Sequence, residues 1–491
     1  MAGLSSALSS ALSGLLVTSS QSALVSRNVT RAADADYSRR DVGLSIAGDG
    51  TTRLGEYTRS ADKSLQDRVL KTSSQLGDAQ IRFDALTALS ATIGDPQDNS
   101  SVAAGLYQLQ QSLRDFQNNP ASGTYAATTL SDAGTLATRL NQAAQDVSDV
   151  RAEAHSGVKL SVEKINALLS DLQPIDEAIR SGSERGTEGN LDNLDKRDAI
   201  LKQLSTEVGL RVVNKSDGTT ALYTDSGITL FDVTPRLVGV KADGPLVPGT
   251  AGPVVTIDGV QVSGSNSIMS LSSGKLAAQI SIRDDTSVTL AAQLDEIARS
   301  LISLFSEQDQ RSTPALPAAT GLFTYNGAPA VPVAGTLVHG LAGQLKIGAR
   351  FDDRAGGNPM LLRDGGSNGA AYVYNTAGQS GFQERLSDLA DAFDTPFSFN
   401  VAAKLGSSSS IKTFSQSSAS KLAAERATSS GVLDQTKAVN QRWTEALLSK
   451  TGVNLDEEMT ALLSLEKSYQ ASAKVMTTID QMFAVLVGIV R

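Results

Sequence analysis

Apolar and small residues at Leu4, Leu8, Ala11, Leu15, Thr18, Ser22, Val25 and Val29 alternate at intervals of four and three, a heptad seam with a weak middle. Residues 65–93 repeat the pattern more strongly through Leu65, Val69, Leu76, Ala79, Phe83, Leu86 and Ile93, and end at Gly94-Asp95-Pro96. A second helix is predicted through Val102, Leu106, Leu109, Leu113 and Phe116, stopped by Asn118-Asn119-Pro120. A longer pattern follows, with Leu136, Leu140, Ala143, Val147, Val150, Ala154, Val158, Ile165 and Leu172. It exceeds an ordinary globular helix and reads as a coiled-coil-like rod that Pro174 kinks or ends. A shorter helix covers about Leu191–Val208.

The period then changes. From Gly209 to about Asp285, Gly, Pro, Asp and Asn punctuate short alternating runs. Asn214-Lys215-Ser216-Asp217-Gly218 predicts a hairpin between Leu210/Val212 and Ala221/Tyr223, and Ile257–Val262 reads as a further strand. Helix returns over 286–310 (Leu290, Leu294, Ile297, Leu301, Leu304), and 311–380 reads as loops and short strands with Pro314, Pro317, Pro329 and Pro332. From 381 onward the pattern is helical apart from a Ser-rich patch at 407–410. The expected fold is mainly α with an inserted β domain: elongated, with terminal coiled-coil-like helices, a helical rod domain and an outward β-rich domain. The expected division is an N-terminal assembly helix (1–36), a rod domain (37–208, 286–310 and 381–450), a β-rich domain (209–285), a loop region (311–380) and a C-terminal assembly helix (451–491).

The C-terminal segment carries the strongest signal. Leu455, Leu462, Tyr469, Met476, Phe483 and Val490 recur at intervals of seven, and Leu465, Ile479 and Leu486 fill most partner positions, with Glu458 and Ser472 as exceptions. The seam is too sparse to outweigh the entropy of ordering the segment alone, and the Ser- and Ala-rich N-terminal seam is weaker still. Two readings follow: terminal helices that order when packed on each other and on neighbouring copies, or an amphipathic helix covering the chain's own core. Periodicity does not separate them.

Composition narrows the function classes. The 491 residues carry 43 Lys+Arg against 52 Asp+Glu, a formal charge of −9, and no basic tract, which disfavours nucleic acid and anionic membrane as partners. Cysteine is absent and histidine occurs twice, at His155 and His339, so disulfides and thiolate chemistry are excluded and a His-rich metal site is not expected. Residues 1–26 are uncharged, but serines interrupt the apolar positions and the first basic residue is Arg27, unlike a cleaved signal peptide. The apolar run Met482–Val490 is too short to span a bilayer.

Candidate chemistry is thin. Asp352-Asp353 and Arg363-Asp364-Gly365-Gly366 lack the alternating ligands of a calcium loop and read as surface turns. Glu457-Glu458 lies near a helix start, where acids serve the helix dipole, and reads as a solvated face. His155 reads as a surface or inter-helix residue, and Trp443 as packing. Arg27, Arg31, Arg39 and Arg40 form a basic cluster, either an inter-subunit salt-bridge region or export signal on one reading, or simple exposed charge on the other. No nucleophile or nucleotide-loop motif stands in a suitable setting, so no catalysis, cofactor or metal is expected.

Thr451-Gly452-Val453-Asn454-Leu455-Asp456-Glu457-Glu458-Met459, continuing through Tyr469-Gln470-Ala471-Ser472-Ala473 to Phe483, resembles the C-terminus of the bacterial flagellar hook-associated protein 1 family of hook–filament junction proteins. Asn190-Leu191-Asp192-Asn193-Leu194-Asp195-Lys196-Arg197-Asp198 is similar to that family's internal Leu-Asp-x-Arg-Asp segment. Asn28 with Tyr37-Ser38-Arg39-Arg40 resembles the Asn-rich, Gly-Tyr-Thr-Arg motif of rod, hook and junction proteins, with Asp36 in place of the usual Gly. The motif positions are therefore Asn28, Tyr37, Arg39, Leu194, Arg197, Asp198, Asn454, Leu455, Asp456, Glu457 and Glu458. The resemblance implies type III export with an uncleaved signal and an extracellular place at the hook–filament junction. It implies a ring of copies whose termini coil together, with Leu4, Leu8, Leu15, Val25, Val29, Leu455, Leu462, Leu465, Tyr469, Met476, Ile479, Phe483, Leu486 and Val490 as the assembly interface. Implied partners are the hook protein, a second hook-associated junction protein, and an export chaperone on the C-terminal helix. The rival readings are another axial component (hook or distal rod protein), a secreted surface-binding module, and a wall hydrolase on an axial scaffold.

Overall fold

The computed structural model describes residues 2–48, 51–93, 101–181, 187–241, 244–264, 267–326, 330–352 and 356–489. Helix α1 (Ala2–Thr30) is followed by a hairpin of β1 (Arg40–Ile46) and β2 (Thr52–Arg59), then by α2 (Lys63–Ile93), α3 (Val102–Asn118), α4 (Gly123–Ser181) and α5 (Glu188–Glu207). The Gly94-Asp95-Pro96 stop lies outside the described residues, as do Asp353 and Pro329. Ser101 caps α3 by accepting from the Ala104 N–H at 3.1 Å. Helix α4 has 59 residues and is about 90 Å long. Pro174 does not end it. Leu172 and Ile179 on either side of the proline are both buried, and that packing outweighs the lost backbone hydrogen bond.

The strands between Leu210 and Gln261 form two antiparallel sheets. β3 (Leu210–Asn214), β4 (Thr220–Thr224), β5 (Thr229–Asp232) and β6 (Thr234–Pro235) pair in chain order, and β3–β4 is the hairpin the Lys215–Gly218 turn residues predict. β7 (Val238–Val240), β8 (Val255–Ile257) and β9 (Val260–Gln261) form the second sheet. The segment read as a single strand over Ile257–Val262 is instead the β8–β9 hairpin, because Asp258 (φ 51°) and Gly259 (φ 82°) are both left-handed, as a tight two-residue turn requires. These sheets have no core of their own. Leu222, Leu230, Phe231, Val238, Val255 and Ile257 pack with Val158–Leu172 of α4, with Leu201 and Leu204 of α5 and with Val208 just after it. The β insertion is thus laid directly on the rod helices.

Helix resumes at Lys275, inside the stretch read as β-rich. α6 (Lys275–Ser281) continues through a π turn (Ile282–Thr286) into α7 (Ser287–Leu304). Gly274 starts it at φ 94°, where a Cβ would lie 2.6 Å from the Glu207 carbonyl oxygen, so glycine both turns the chain and lets α6 meet the end of α5. At the π turn Arg283 pairs with Asp284 at 2.7 Å and reaches His155 Nδ1 at 3.4 Å, which makes His155 an inter-helix residue.

Residues 305–410 hold short elements, including α8 (Leu361–Asp364) and α9 (Glu384–Ala392), with a two-residue strand pair between Phe397–Ser398 and Ser408–Ser409 in the Ser-rich patch. Buried acids organise this region. Glu307 accepts from Ser367 and Asn368 and pairs with Arg385 at 3.4 Å, and Asp295 accepts from the N–H groups of Gly340 and Ala342, each at 2.8 Å. Together with α3, the first half of α4, α7, α9 and the start of α10, it forms the larger core. α10 (Ile411–Thr451) then runs along α2, with the Arg68 guanidinium 4.6 Å from the Trp443 ring, so Trp443 is packing between these helices. After a break at Gly452–Asn454, α11 (Leu455–Ile489) returns along α1.

Candidate assembly interface: the paired chain ends

The polar residues of Asn454-Leu455-Asp456-Glu457-Glu458 divide between capping the helix and locking it to the N-terminal stretch. Asn454 caps α11: its Oδ1 accepts from the Asp456 N–H at 3.1 Å and its carbonyl from the Glu458 N–H at 3.0 Å. Asp456 and Glu457 are exposed in the first turn, where the helix dipole favours them. Glu458 does not share their solvated face, contrary to the sequence expectation for the pair. One residue further round the helix, it points into the seam toward α1, and its side chain is fully buried.

Burial of Glu458 is tolerated because both carboxylate oxygens are satisfied. Oε2 accepts from Asn28 Nδ2 at 3.0 Å, and Oε1 from Arg39 Nε at 2.7 Å. Asn28 in turn uses every group it has. Its Nδ2 also donates to the Arg40 carbonyl at 3.0 Å, while Oδ1 accepts from the Tyr37 hydroxyl at 2.8 Å and the Arg40 N–H at 3.2 Å. The Arg39 N–H donates to the Thr451 carbonyl at 2.7 Å, tying the same stretch to the end of α10.

Ion pairs join this knot to the helical body. Asp192, Asp195 and Asp198 are spaced by three on α5 and so share one helical face. Arg40, whose guanidinium is fully buried, pairs with Asp192 and with Asp195 at 3.0 Å. Arg59, directly across the hairpin root from Arg40, pairs with Asp195 at 3.0 Å and Asp198 at 2.7 Å. Burial works against the Arg40 charge, but the Asp192 and Asp195 carboxylates outweigh it and hold its pKa above the ordinary value. The Tyr37 ring lies between Arg40 (4.9 Å) and Arg31 (4.8 Å), and burial raises its phenol pKa despite the Arg40 charge. Arg197 serves elsewhere: it pairs with Asp198 at 3.1 Å and reaches the Gly218 carbonyl and Thr220 of the first sheet. Leu194 is half-buried beside this network.

Beyond the knot, α1 and α11 run antiparallel in register. Ser472, the other exception in the heptad, sits opposite Gly14, where a Cβ would come 3.6 Å from its Oγ. Asn28 is fourteen residues after Gly14, and Glu458 fourteen before Ser472, so the two polar exceptions mark one register two heptads apart. On α1, Ala11, Val17, Thr18, Leu24 and Asn28 are buried, and Leu8, Leu15, Val25 and Val29 are half-buried. On α11, Ile479 is buried and Leu462, Leu465, Met476 and Phe483 are half-buried, while Leu455 and Tyr469 are exposed. Leu4, Leu486 and Val490 fall outside the residues whose side chains are described. Further apolar side chains stay exposed: Leu12 and Leu16 on α1, and on α11 the group Leu455, Met459 and Leu463 near its start, Tyr469, and Val475, Met482 and Val485 further along. The segment Ser5–Thr30 is long and apolar enough to cross a membrane, yet here it lies along α11.

Two family models match the chain: the flagellar hook-associated protein FlgK helical domain over residues 86–315, and the flagellar basal body rod FlgEFG protein C-terminal segment over 445–489. Flagellar hook-associated protein 1 of Bacillus subtilis (strain 168) is 20% identical over 480 residues, covering 91% of this chain and 87% of that protein. The chain belongs to the flagellar hook-associated protein FlgK family. The flagellar hook junction protein FlgK from Burkholderia pseudomallei shares the fold, with a TM-score of 0.57 at 13% identity over 77% of this chain and 99% of that one.

As a FlgK-family member the chain is a structural component of the hook–filament junction, an extracellular axial part of the flagellum, and it works by assembly and not by catalysis. It assembles with the hook and filament proteins of that structure. The knot described above lies where the FlgEFG-like C-terminal segment, the N-terminal Asn28–Arg40 stretch and α5 of the helical domain meet.

Proposed function

We propose that copies of this chain close into a ring through the α1–α11 pair, with the hook protein on one side and a second hook-associated junction protein on the other. The supporting observation is the apolar surface that both helices leave exposed. Seven large apolar side chains of α11 and two of α1 stay exposed after the two helices have paired, and that much exposed apolar surface marks an interaction site. The inner seam is itself shallow, so neighbouring copies would supply the burial that makes the ends firm.

In this reading 1–36 and 451–491 build the assembly, the helices of 37–208, 286–310 and 381–450 form the rod, and 209–285 and 311–380 dress it. Arg40, Arg59 and the α5 carboxylates pass load from the ends into the body. The same exposed apolar residues of α11 are the surface an export chaperone would cover before assembly. Deleting residues 453–491 is expected to leave hooks without filaments and unassembled filament protein in the medium. Normal filaments in that strain would overturn the reading.

A further inference from the structure

The paired ends and the β1–β2 hairpin form one unit. Asn28 binds both the Arg40 backbone and the Glu458 carboxylate, and Arg39 pairs with Glu458, so α1, the hairpin and α11 are held to each other. The chain passes between this unit and the helical body at two places, 60–62 between β2 and α2 and 452–454 between α10 and α11. Both crossings are pinned to one residue. The Ser60 N–H donates to the Arg39 carbonyl at 2.8 Å, and the Arg39 N–H donates to the Thr451 carbonyl at 2.7 Å. Backbone gathered at one point fixes a position and leaves an angle to be set by other contacts.

Ion pairs set that angle. Across the joint, Arg31, Arg40 and Arg59 bind Asp192, Asp195 and Asp198 of α5. Apolar packing beside them is incomplete, because a cavity of about 130 Å³ opens between Tyr37 of the unit and Leu70, Leu447 and Leu448 of the body. The pairing is also uneven. Nη2 of Arg40 takes both Asp192 and Asp195, while Nε and Nη1 are buried without a hydrogen-bond partner. The Tyr37 ring, 4.9 Å from the guanidinium carbon, is a weaker substitute. Donors left unmet in the closed joint regain hydrogen bonds when water reaches them, which offsets part of the cost of breaking the pairs.

We propose that the joint is an electrostatic latch: the ends and hairpin turn as one unit about Arg39 when the Arg40 and Arg59 pairs with α5 open, while the Asn28–Glu458 lock stays closed. In the reading above these pairs pass load from the ends into the body. Their release is a further property, and it can be tested on the monomer without a ring. Such a latch lets the ends keep one packing while the bodies take another.

The cysteine-free chain can be labelled at Glu56→Cys on β2 and Ser170→Cys on α4, both exposed, and the distance between fluorophores followed in single monomers. At about 0.01 M salt, where charges act over about 30 Å, one narrow distance is expected. At about 1 M, where they act over about 3 Å, a second distance should gain about threefold or more in population. Asp192→Asn with Asp195→Asn should raise that population about tenfold or more at low salt, with the helical signal kept. Glu458→Ala breaks the lock and not the latch, so it should leave the low-salt distance in place. Labels within the body, at Ser170→Cys and Asp388→Cys, should show neither effect. A distance that stays single at high salt, or a folded double variant that keeps it, overturns the latch and leaves assembly through the ends standing. So does a broad distance at low salt in the unaltered joint. Should the double variant lose its helical signal, the salt titration decides alone.

Discussion

The side-chain amide of Asn28 donates to the buried carboxylate of Glu458 at 3.0 Å, joining positions 430 residues apart. Neither residue has solvent to fall back on, so the contact is specific in a way the apolar seam around it is not. A leucine seam slides by a heptad at modest cost, whereas this pair holds only one alignment.

Glu458→Ala strands one buried donor, Asn28 Nδ2, and releases the half-exposed Arg39 guanidinium to water, and should weaken the α1–α11 pairing by about 1–3 kcal/mol. Combining it with Arg39→Ala should cost less than the sum of the two single changes, because the same contact is removed twice. Resistance of α11 to limited proteolysis would report this, with simple additivity counting against a shared lock. Glu457→Ala, one position away but exposed, should change little.

Gly14 makes the opposite case. A Cβ there would lie 3.6 Å from Ser472 Oγ, an ordinary contact, so Gly14→Ala fits and gains about 1 kcal/mol of helix propensity. Gly14→Leu has no such room and should force the helices apart. Comparing the three chains by proteolysis of α11 checks the register directly. Equal tolerance of alanine and leucine would mean that Gly14 does not face Ser472 in solution.

The body of the molecule should respond to pH through Asp295. Burial lifts its pKa to about 6, against the pull of the Gly340, Leu341 and Ala342 N–H groups. A carboxyl whose folded pKa lies above its unfolded one binds more protons when folded. Its contribution is therefore complete below about pH 4 and is lost as pH rises through about 6, amounting to at most about 3 kcal/mol. The stability difference between wild type and Asp295→Asn should shrink over that interval in denaturant titrations at fixed pH. A difference that widens with rising pH would show that the three N–H groups, and not burial, govern the site.

The heptads are local and survive in the sequence, so the terminal helices, the rod and the return of helix near the C-terminus were all legible there. Polar partnerships across hundreds of residues leave no such trace. Glu458 resembles its neighbour Glu457 in every local respect, and only the 100° step between them buries one and exposes the other. Arg40 and Arg59 were visible as charge, but that Asp192 and Asp195 would receive them depends on where α5 docks. The signal that could have found them was the spacing of three between Asp192, Asp195 and Asp198, facing a basic cluster already evident at Arg31–Arg40. Two local errors had other causes. Asp258-Gly259 is a turn pair that outweighs the alternation around it, and α6 was hidden by its short length before the π turn.

The shallow seam implies that the ends owe their rigidity to neighbours. Along α11, Glu458 and Ile479 are the buried positions among the residues described, whereas α4 buries side chains from Ala126 to Ile179. Amides of α4 should therefore exchange at the rate of global unfolding, and those of α1 and α11 far faster in dilute monomer. The first turns of α11, held by Asn454 and Glu458, should be the slowest part of either end. In isolated junctions both helices should become protected together, since each copy's exposed apolar residues are then covered. Strong protection across both ends in the monomer would mean that the pair is self-sufficient, and the exposed apolar residues would then need an explanation other than assembly.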